Sequence, residues 1–452
     1  VAIDAPLTFG QLSTWRSIET FDDDTLVAVN VPATWDVRGF DAATVRDALA
    51  RLVDRHESLR TTYHIVNGAP VQRVHDELPP RIRYVDQPVA DPADPQRTTA
   101  ELYREPFPVT DDPAWHAVLV SVAGQPRFLA LSLSHMVVDL WAVKELEAQF
   151  RALATGTGAE PVRVPQPREL AVRQRGETWE ARRRRAEAYW LRLLTDGPVR
   201  NLPLPPAGRR RQTRIQATLR SHQLAVLVAE AAKALGTSQQ SVLMAATAVA
   251  LSRFIGRGRV MLSLMSANRF EPDWQTLIST QNQLVPLICE VDPAIAVGPY
   301  VKRAHFQAML AYRNGSYDVD RAEELAKDVG PVNGDSFAHD CWFNYIAEAE
   351  SEVPDSAPLA TSAELTWDTP LRNAGHPFYA RVHGDGRNWI AVTFRVDPDI
   401  VPAGQVVEAL RTVARTVLRA ATAPETPLGD LQADTPEPLA TALFPAEYPT
   451  KD

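Results

Sequence analysis

A chain of 452 residues with 45% hydrophobic and 23% charged residues can bury a large core, which excludes extensive disorder and points to two domains or one two-lobed unit. The net charge of -9 implies no general polyanion-binding surface, so nucleic acid is set aside as a partner. Cys289 and Cys341, both in apolar runs, predict buried thiols in a reducing compartment; no Cys/His cluster has zinc spacing, and no metal site is expected.

The opening "VAIDAPLTFG" lacks the basic-then-apolar pattern of a signal peptide and lacks an initiator Met, so the numbering reads as beginning inside a longer chain. Further on, "DAATVRDALARLVDRH" sets Val45, Leu49, Leu52 and Val53 on one helical face behind Asp41 as N-cap. The segment "LRTTYHIVNGAPVQRVH" predicts two strands about Asn67-Gly68, a pair that tolerates the positive φ of a tight hairpin.

"FLALSLS" alternates as a strand, and from Asp139 onward Val143, Leu146, Phe150 and Leu153 recur at helical spacing. Two Pro-rich stretches, "PVRVPQPREL" and "NLPLPPAG", flank an Arg-rich helix and read as a crossover joining two halves. The basic knot there, Arg182 to Arg185 with Arg209, Arg210, Arg211 and Arg214, reads either as a solvated helix face or as a docking patch for an acidic partner.

The second half repeats the grammar of the first. "TSQQSVLMAATAVALSRF" is a buried helix capped by Thr237 or Ser238, and "RVMLSLMSA" is a strand. The run "SVLMAATAVALSRFIG" is the longest apolar one; Ser252 and Arg253 interrupt it and leave it short of a bilayer, so a cytoplasmic protein is expected. "FYARVH-GDG-RNWIAVTFRV" predicts a hairpin with Gly384 and Gly386 flanking its turn. In "AGQVVEALRTVARTVLRA", Val406, Leu410, Val413 and Val417 share a helical face. The sum is two α/β lobes of comparable design.

The constellation that could carry chemistry is "SHMVVDLW", which places His135 at a strand end and Asp139 four residues on, at a helix start. A histidine held rigidly among apolar neighbours can act as a general base or orient a nucleophile. Asp139 also reads as the helix N-cap, and a buried carboxylate wants a fixed, bidentate Arg from the other half. No G-x-S-x-G, Walker, G-x-G-x-x-G or H-E-x-x-H signature competes, and "HGDGRN" and "AHDCW" read as a turn and a loop.

At these residues the pattern resembles the condensation domains of nonribosomal peptide synthetases, members of the chloramphenicol-acetyltransferase-like superfamily, whose hallmark is His-His-x-x-x-Asp-Gly. In "SHMVVDL", His135 stands at the second histidine and Asp139 at the aspartate, while Ser134 replaces the first histidine and Leu140 the glycine. "PLTFGQLSTWRSI" looks like the family's opening motif, with Gln11 and Trp15. "LVDRHESLRTTY" matches the Arg-His-Glu-x-Leu-Arg-Thr block from Arg55 to Thr61. "AEAYWLRLLTDGPVRNLPLP" looks like the linker helix with Tyr189 and Trp190. "SANRFEPDWQTLISTQNQLVPL" resembles the segment ending in a Val-Asn-Thr turn, with Asn282 at the asparagine.

The resemblance implies a V-shaped pseudo-dimer of two chloramphenicol-acetyltransferase-like lobes, residues 1–175 and 209–452, joined by a linker helix and crossover over 176–208, with a tunnel between them. It implies an acyltransferase that joins a carrier-protein-bound acyl or aminoacyl thioester to an amine or hydroxyl, in natural-product biosynthesis. The partners implied are a carrier protein with its phosphopantetheine arm and the acceptor. No intrinsic cofactor, no membrane and no nucleic acid is expected, and the chain is expected to be monomeric. His135 would orient or deprotonate the nucleophile or stabilise the intermediate; Asp139, Arg269 and Ser134 would keep the site in shape; Leu140, Trp141 and Asn282 would face substrate. Leu140 puts a bulky side chain where the glycine lets substrate pass close to the backbone. Two rival readings stand beside this one: a non-catalytic domain of the same ancestry that recruits a tailoring enzyme, which Leu140 favours, and a coenzyme A-dependent O-acyltransferase. The Pro-rich end "TPEPLATALFPAEYPTKD" reads more as the end of a stand-alone protein than as a linker into another module.

Overall fold

A computed structural model describes residues 2–21, 26–79, 81–105, 107, 110, 112–157, 163–203, 214–331, 336–347, 363–368 and 376–431. Arg209, Arg210 and Arg211, most of "NLPLPPAG" and the Pro-rich end lie outside these. The chain divides into two compact units. The first holds the residues up to Ala186 plus two returning stretches, Ala267–Gln283 and Ser316–Arg321; the second holds Glu187–Ser266, Leu284–Gly315 and the residues from Ala322 onward.

The first unit begins with β1 (Ala2–Pro6) and α1 (Phe9–Ile18), then β2 (Asn30–Asp36), α2 (Ala42–Arg55), and the hairpin of β3 (Thr61–Val66) and β4 (Ala69–His75). It continues through β5 (Arg81–Gln87), α3 (Asp94–Tyr103), β6 (Trp115–Val122), β7 (Gln125–Ser134), α4 (Leu140–Thr155) and α5 (Pro167–Arg175) into α6 (Glu177–Asp196). One antiparallel sheet runs β1-β4-β3, and a four-stranded sheet runs β2-β7-β6-β5, with β5 parallel to β6.

Local rules account for these elements. Asp41 caps α2 by accepting from the Thr44 N–H, and Val45, Leu49, Leu52 and Val53 are all buried on its inner face. Asn67 and Gly68 carry φ of 52° and 80°, the pair of positive values that a two-residue hairpin demands. The core gathers Leu49, Leu52, Tyr63, Trp115, Leu131, Val143 and Phe150, and Ile278 from the first returning stretch joins it.

The block from Arg55 to Thr61 does structural work at the corner between α2 and β3. His56 Nε2 meets Gln149 Oε1 at 2.8 Å, Glu57 pairs with Arg168 at 2.8 Å, and the Trp115 indole donates to the Leu59 carbonyl at 2.9 Å.

Both returning stretches are tied down within the first unit. Arg16 forks onto Asp320 at 2.7 and 2.8 Å. Arg173 and Arg182 pair with Glu271, and both guanidinium groups lie over Trp179. Among the described members of the basic knot, Arg183 donates to the carbonyls of Gln174 and Gly176, Arg184 pairs with Glu180 one turn away on the exposed helix face, and Arg214 pairs with buried Asp397. Arg185 is left exposed.

The second unit contains β8 (Ile215–Ser221), α7 (His222–Leu235), α8 (Gln239–Ile255), β9 (Arg259–Ser266), β10 (Gln283–Glu290) from Leu284 onward, α9 (Val297–Arg313), α10 (Val319–Val329) from Ala322 onward, β11 (Cys341–Ala347), β12 (Glu364–Trp367), β13 (Phe378–Gly384), β14 (Ile390–Val396) and α11 (Ala403–Thr422). Its seven-stranded sheet runs β10-β9-β11-β13-β14-β8-β12. Ser238, not Thr237, caps α8, accepting from Ser241 N–H. "HGDGRN" forms the β13–β14 turn, where Asp385 accepts from the N–H groups of Arg387, Asn388 and Trp389. "AHDCW" is more than a loop: buried Asp340 accepts from the N–H groups of Asn201 and Leu202, both at 2.7 Å, just before Cys341 opens β11. Cys289 and Cys341 are buried and unbridged. Among the described residues no helix is long and apolar enough to cross a membrane.

Candidate active site

Strand β7 delivers the site. Its last residue, Ser134, pairs with Asn30 on β2 and donates its N–H to Ala114 at 2.8 Å. The chain then turns sharply. The Ser134 carbonyl accepts from Val137 and Val138, and its hydroxyl oxygen accepts from the Met136 N–H at 3.2 Å. Ser134 is fully buried, and this short-range bond is a task suited to a serine hydroxyl.

The turn is held from both sides. His135 donates its N–H to the Val29 carbonyl at 2.7 Å, and the buried Tyr63 hydroxyl donates to the Met136 carbonyl at 2.9 Å. Gln11 reaches the same Tyr63 oxygen at 3.5 Å while closing the capping box of α1 with Thr8. Met136, Val137 and Val138 are sunk in the core, so His135 alone of the turn keeps a side chain that is not wholly enclosed. Its Nδ1 is buried without a hydrogen-bond partner, while the side chain as a whole is partly exposed. Burial pushes the imidazole below the usual histidine range, outweighing the opposing charge of Asp139 and the backbone at Val138. At neutral pH the ring is therefore uncharged and able to accept a proton.

Asp139 is wholly occupied elsewhere. It caps α4 by accepting from the Ala142 N–H at 2.8 Å, and its second oxygen accepts from the Gln281 N–H at 3.0 Å. Arg269 completes the set from 130 positions along the chain. The contact reaches both carboxylate oxygens through a single nitrogen: Nη2 spans them at 2.9 and 3.0 Å and also donates to the Ser279 carbonyl at 2.9 Å. The other nitrogen, Nη1, is drawn to the carbonyls of Leu277, Gln275 and Trp274 at 2.8, 3.1 and 3.4 Å. Arg269 thus wraps its own loop around a buried charge. The expectation that it reaches across from the second half is corrected, since its stretch belongs to the first unit.

Two residues that sequence reasoning passed over make this geometry possible. A Cβ on Gly10 of α1 would lie 2.6 Å from the Thr280 oxygen and 2.7 Å from the Gln281 Cα, so only glycine admits that backbone. Tyr63 is the other, visible in the sequence only as an apolar strand position. Asn282 lies beside this contact, accepting from Thr280 Oγ1 at 2.6 Å just before β10. Leu140 and Trp141, in the first turn of α4, are 42% and 52% exposed. Among the described residues, no group of three or more His, Cys, Asp or Glu side chains is placed to hold a metal ion.

Residues 3–358 match the family described as Condensation domain. The chain belongs to the condensation-domain family. Its similarity to tyrocidine synthase 2 of Brevibacillus parabrevis is 26% identity over 66% of this chain and 8% of that protein. Bacitracin synthase 2 of Bacillus licheniformis is 24% identical over 80% of this chain and 14% of its own length, so this condensation domain spans a small part of such relatives. Among solved structures, the condensation domain from monacolin K polyketide synthase aligns at a TM-score of 0.75 and 18% identity, covering 94% of this chain and 99% of that one. The SgcC5 protein from Streptomyces globisporus aligns at 0.72 and 19% identity, covering 93% and 100%. At these identities the likeness speaks for the two-lobed α/β fold.

Proposed function

We propose that this condensation domain is an acyltransferase, joining an acyl or aminoacyl thioester, carried on the phosphopantetheine arm of a carrier protein, to an amine or hydroxyl acceptor. The observation that carries this reading is the division of labour in the turn: His135 keeps the one side chain of the turn that is not wholly enclosed, while Asp139 spends its oxygens on the α4 cap, Gln281 and Arg269. The acceptor nitrogen or oxygen attacks the thioester carbon, and the Nε2 lone pair of His135 takes the proton that the nucleophile releases. Collapse of the tetrahedral intermediate breaks the C–S bond, and the proton passes from His135 to the departing thiolate. The arm belongs to the partner, so the chain itself supplies only position and proton transfer. Two buried, unbridged cysteines suit work in the cytoplasm.

The test is acyl transfer from loaded carrier proteins to amine and alcohol acceptors, read by intact-protein mass spectrometry for wild type and His135→Ala. General-base catalysis of this kind contributes about 10²- to 10⁴-fold, so kcat should fall by that much, with the acid limb of the wild-type pH profile centred below the ordinary histidine value of about 6.5. Equal turnover by the two proteins refutes the assignment. The exposed Leu140 and Trp141 beside the site favour a second reading, a recruitment surface for a tailoring enzyme. No His135-dependent product together with tight binding of such an enzyme would select it.

A further inference from the structure

Helix α9 carries a face that is left exposed among the described residues. One side of the helix, including Val301, Ala304 and Ala308, is buried. On the other, Phe306 is 68% exposed, Met309 54% and Leu310 43%, three large apolar groups within one helical turn and a half. At about 100° per residue these positions fall with exposed Lys302 and Arg313 inside an arc of about 100°. The apolar strip is therefore bracketed by a cation at each end. Among the described residues neither Lys302 nor Arg313 has a carboxylate partner. The whole helix, VGPYVKRAHFQAMLAYR, contains no Asp or Glu, in a chain that carries 56 of them and a net charge of -9.

An apolar strip of this size on a solvated helix marks an interaction surface, and its bracketing cations set the sign of what fits it. We infer that the Lys302–Arg313 face of α9 docks an acidic amphipathic helix of the protein that delivers the thioester, with Phe306 and Met309 as apolar anchors and the two cations meeting carboxylates at the rim. This rests on the function proposed above and assigns a surface to its partner. A carrier presented by this contact gains affinity without any change at His135, so docking and chemistry are separable in kinetics.

The test uses the full chain with two versions of one substrate: the acyl group on a holo carrier protein, and the same group as a thioester of N-acetylcysteamine, which has no protein to dock. The variants are Phe306→Glu and the pair Lys302→Glu with Arg313→Glu, the latter leaving the apolar strip in place. Expected is a loss of about tenfold or more in kcat/KM for the carrier-bound substrate, carried by KM, with the small thioester unaffected. Equal loss with both substrates by both variants, or no loss with either, overturns the docking surface. If wild type turns over neither substrate, the proposed function has failed, and docking is read instead from fluorescence anisotropy of a holo carrier labelled on its phosphopantetheine thiol. There, weakening by both variants supports the surface, and absent or unchanged binding overturns it. Wild-type self-association that Phe306→Glu abolishes would also overturn it, by giving the face to a second copy of this chain.

Discussion

Replacing Arg269 with Met strips the buried Asp139 carboxylate of its cation. The two side chains are 2% and 4% exposed, so water cannot take the place of the guanidinium. Removing one partner of such a pair costs about 3–5 kcal/mol, because the remaining charge stays buried and uncompensated. The carbonyls of Trp274, Gln275, Leu277 and Ser279 lose a donor in the same step, which places the variant toward the upper end of that range. Asp139→Asn keeps an N-cap for α4 but leaves Arg269 facing no charge. The double variant buries no charge at all, so it should be more stable than the sum of the two losses by about 2 kcal/mol. The assay is a double-mutant cycle in urea, with hydrogen exchange in β7 and α4 reporting the first unit, since a chain with two compact units need not unfold in one step. Additivity within about 0.5 kcal/mol would refute the coupling and with it the claim that the pair holds the His135 turn.

Two further outcomes follow from packing and titration. Gly10→Ala drives a methyl group into the backbone at Thr280 and Gln281; it should cost about 1–3 kcal/mol and lower acyl transfer by displacing the N–H that Gln281 gives to Asp139, and a variant with wild-type urea midpoint and turnover would contradict this. Burial holds His56 and His339 down to about 4 and His376 to about 3, against about 6.5 in an unfolded chain. Between those values the unfolded state binds more protons than the folded one, so stability is fully present above about pH 6.5 and drains away as pH falls toward 4. The His56 contribution alone is on the order of 3 kcal/mol, and urea midpoints that stay flat from pH 7 to pH 5 would refute it.

Much of the first unit was legible from local rules. Asp41, the Asn67-Gly68 turn, the alternation of β7 and the cap at Asp139 are each decided within a few residues, where hydrogen-bond geometry and side-chain period leave little choice. "AHDCW" was not legible in the same way. Asp340 serves the N–H groups of Asn201 and Leu202 some 139 positions away, and no local pattern announces such a partner. The arginine run is solvated in part, as the sequence allows, with Arg182, Arg184 and Arg185 exposed; that Arg182 meets Glu271 and Arg183 two main-chain carbonyls is again a matter of chain return that no local pattern announces.

The candidate site divides along the same line. The sequence by itself determined that a histidine ends an apolar strand and that an aspartate opens the next helix, because strand alternation and capping are short-range. It also determined that this aspartate, once buried, would need a cation. Only the tertiary structure decided how that need is met: one nitrogen of Arg269 spans both oxygens, because its other nitrogen is drawn off by three carbonyls of its own loop. Only the tertiary structure decided that the loop sits close enough for Gln281 to contribute an N–H, since that approach depends on a missing side chain at Gly10. Pairings of this kind are set by the return of distant backbone to a shared core, and the distance of closest approach is fixed by packing, which no one-dimensional period encodes.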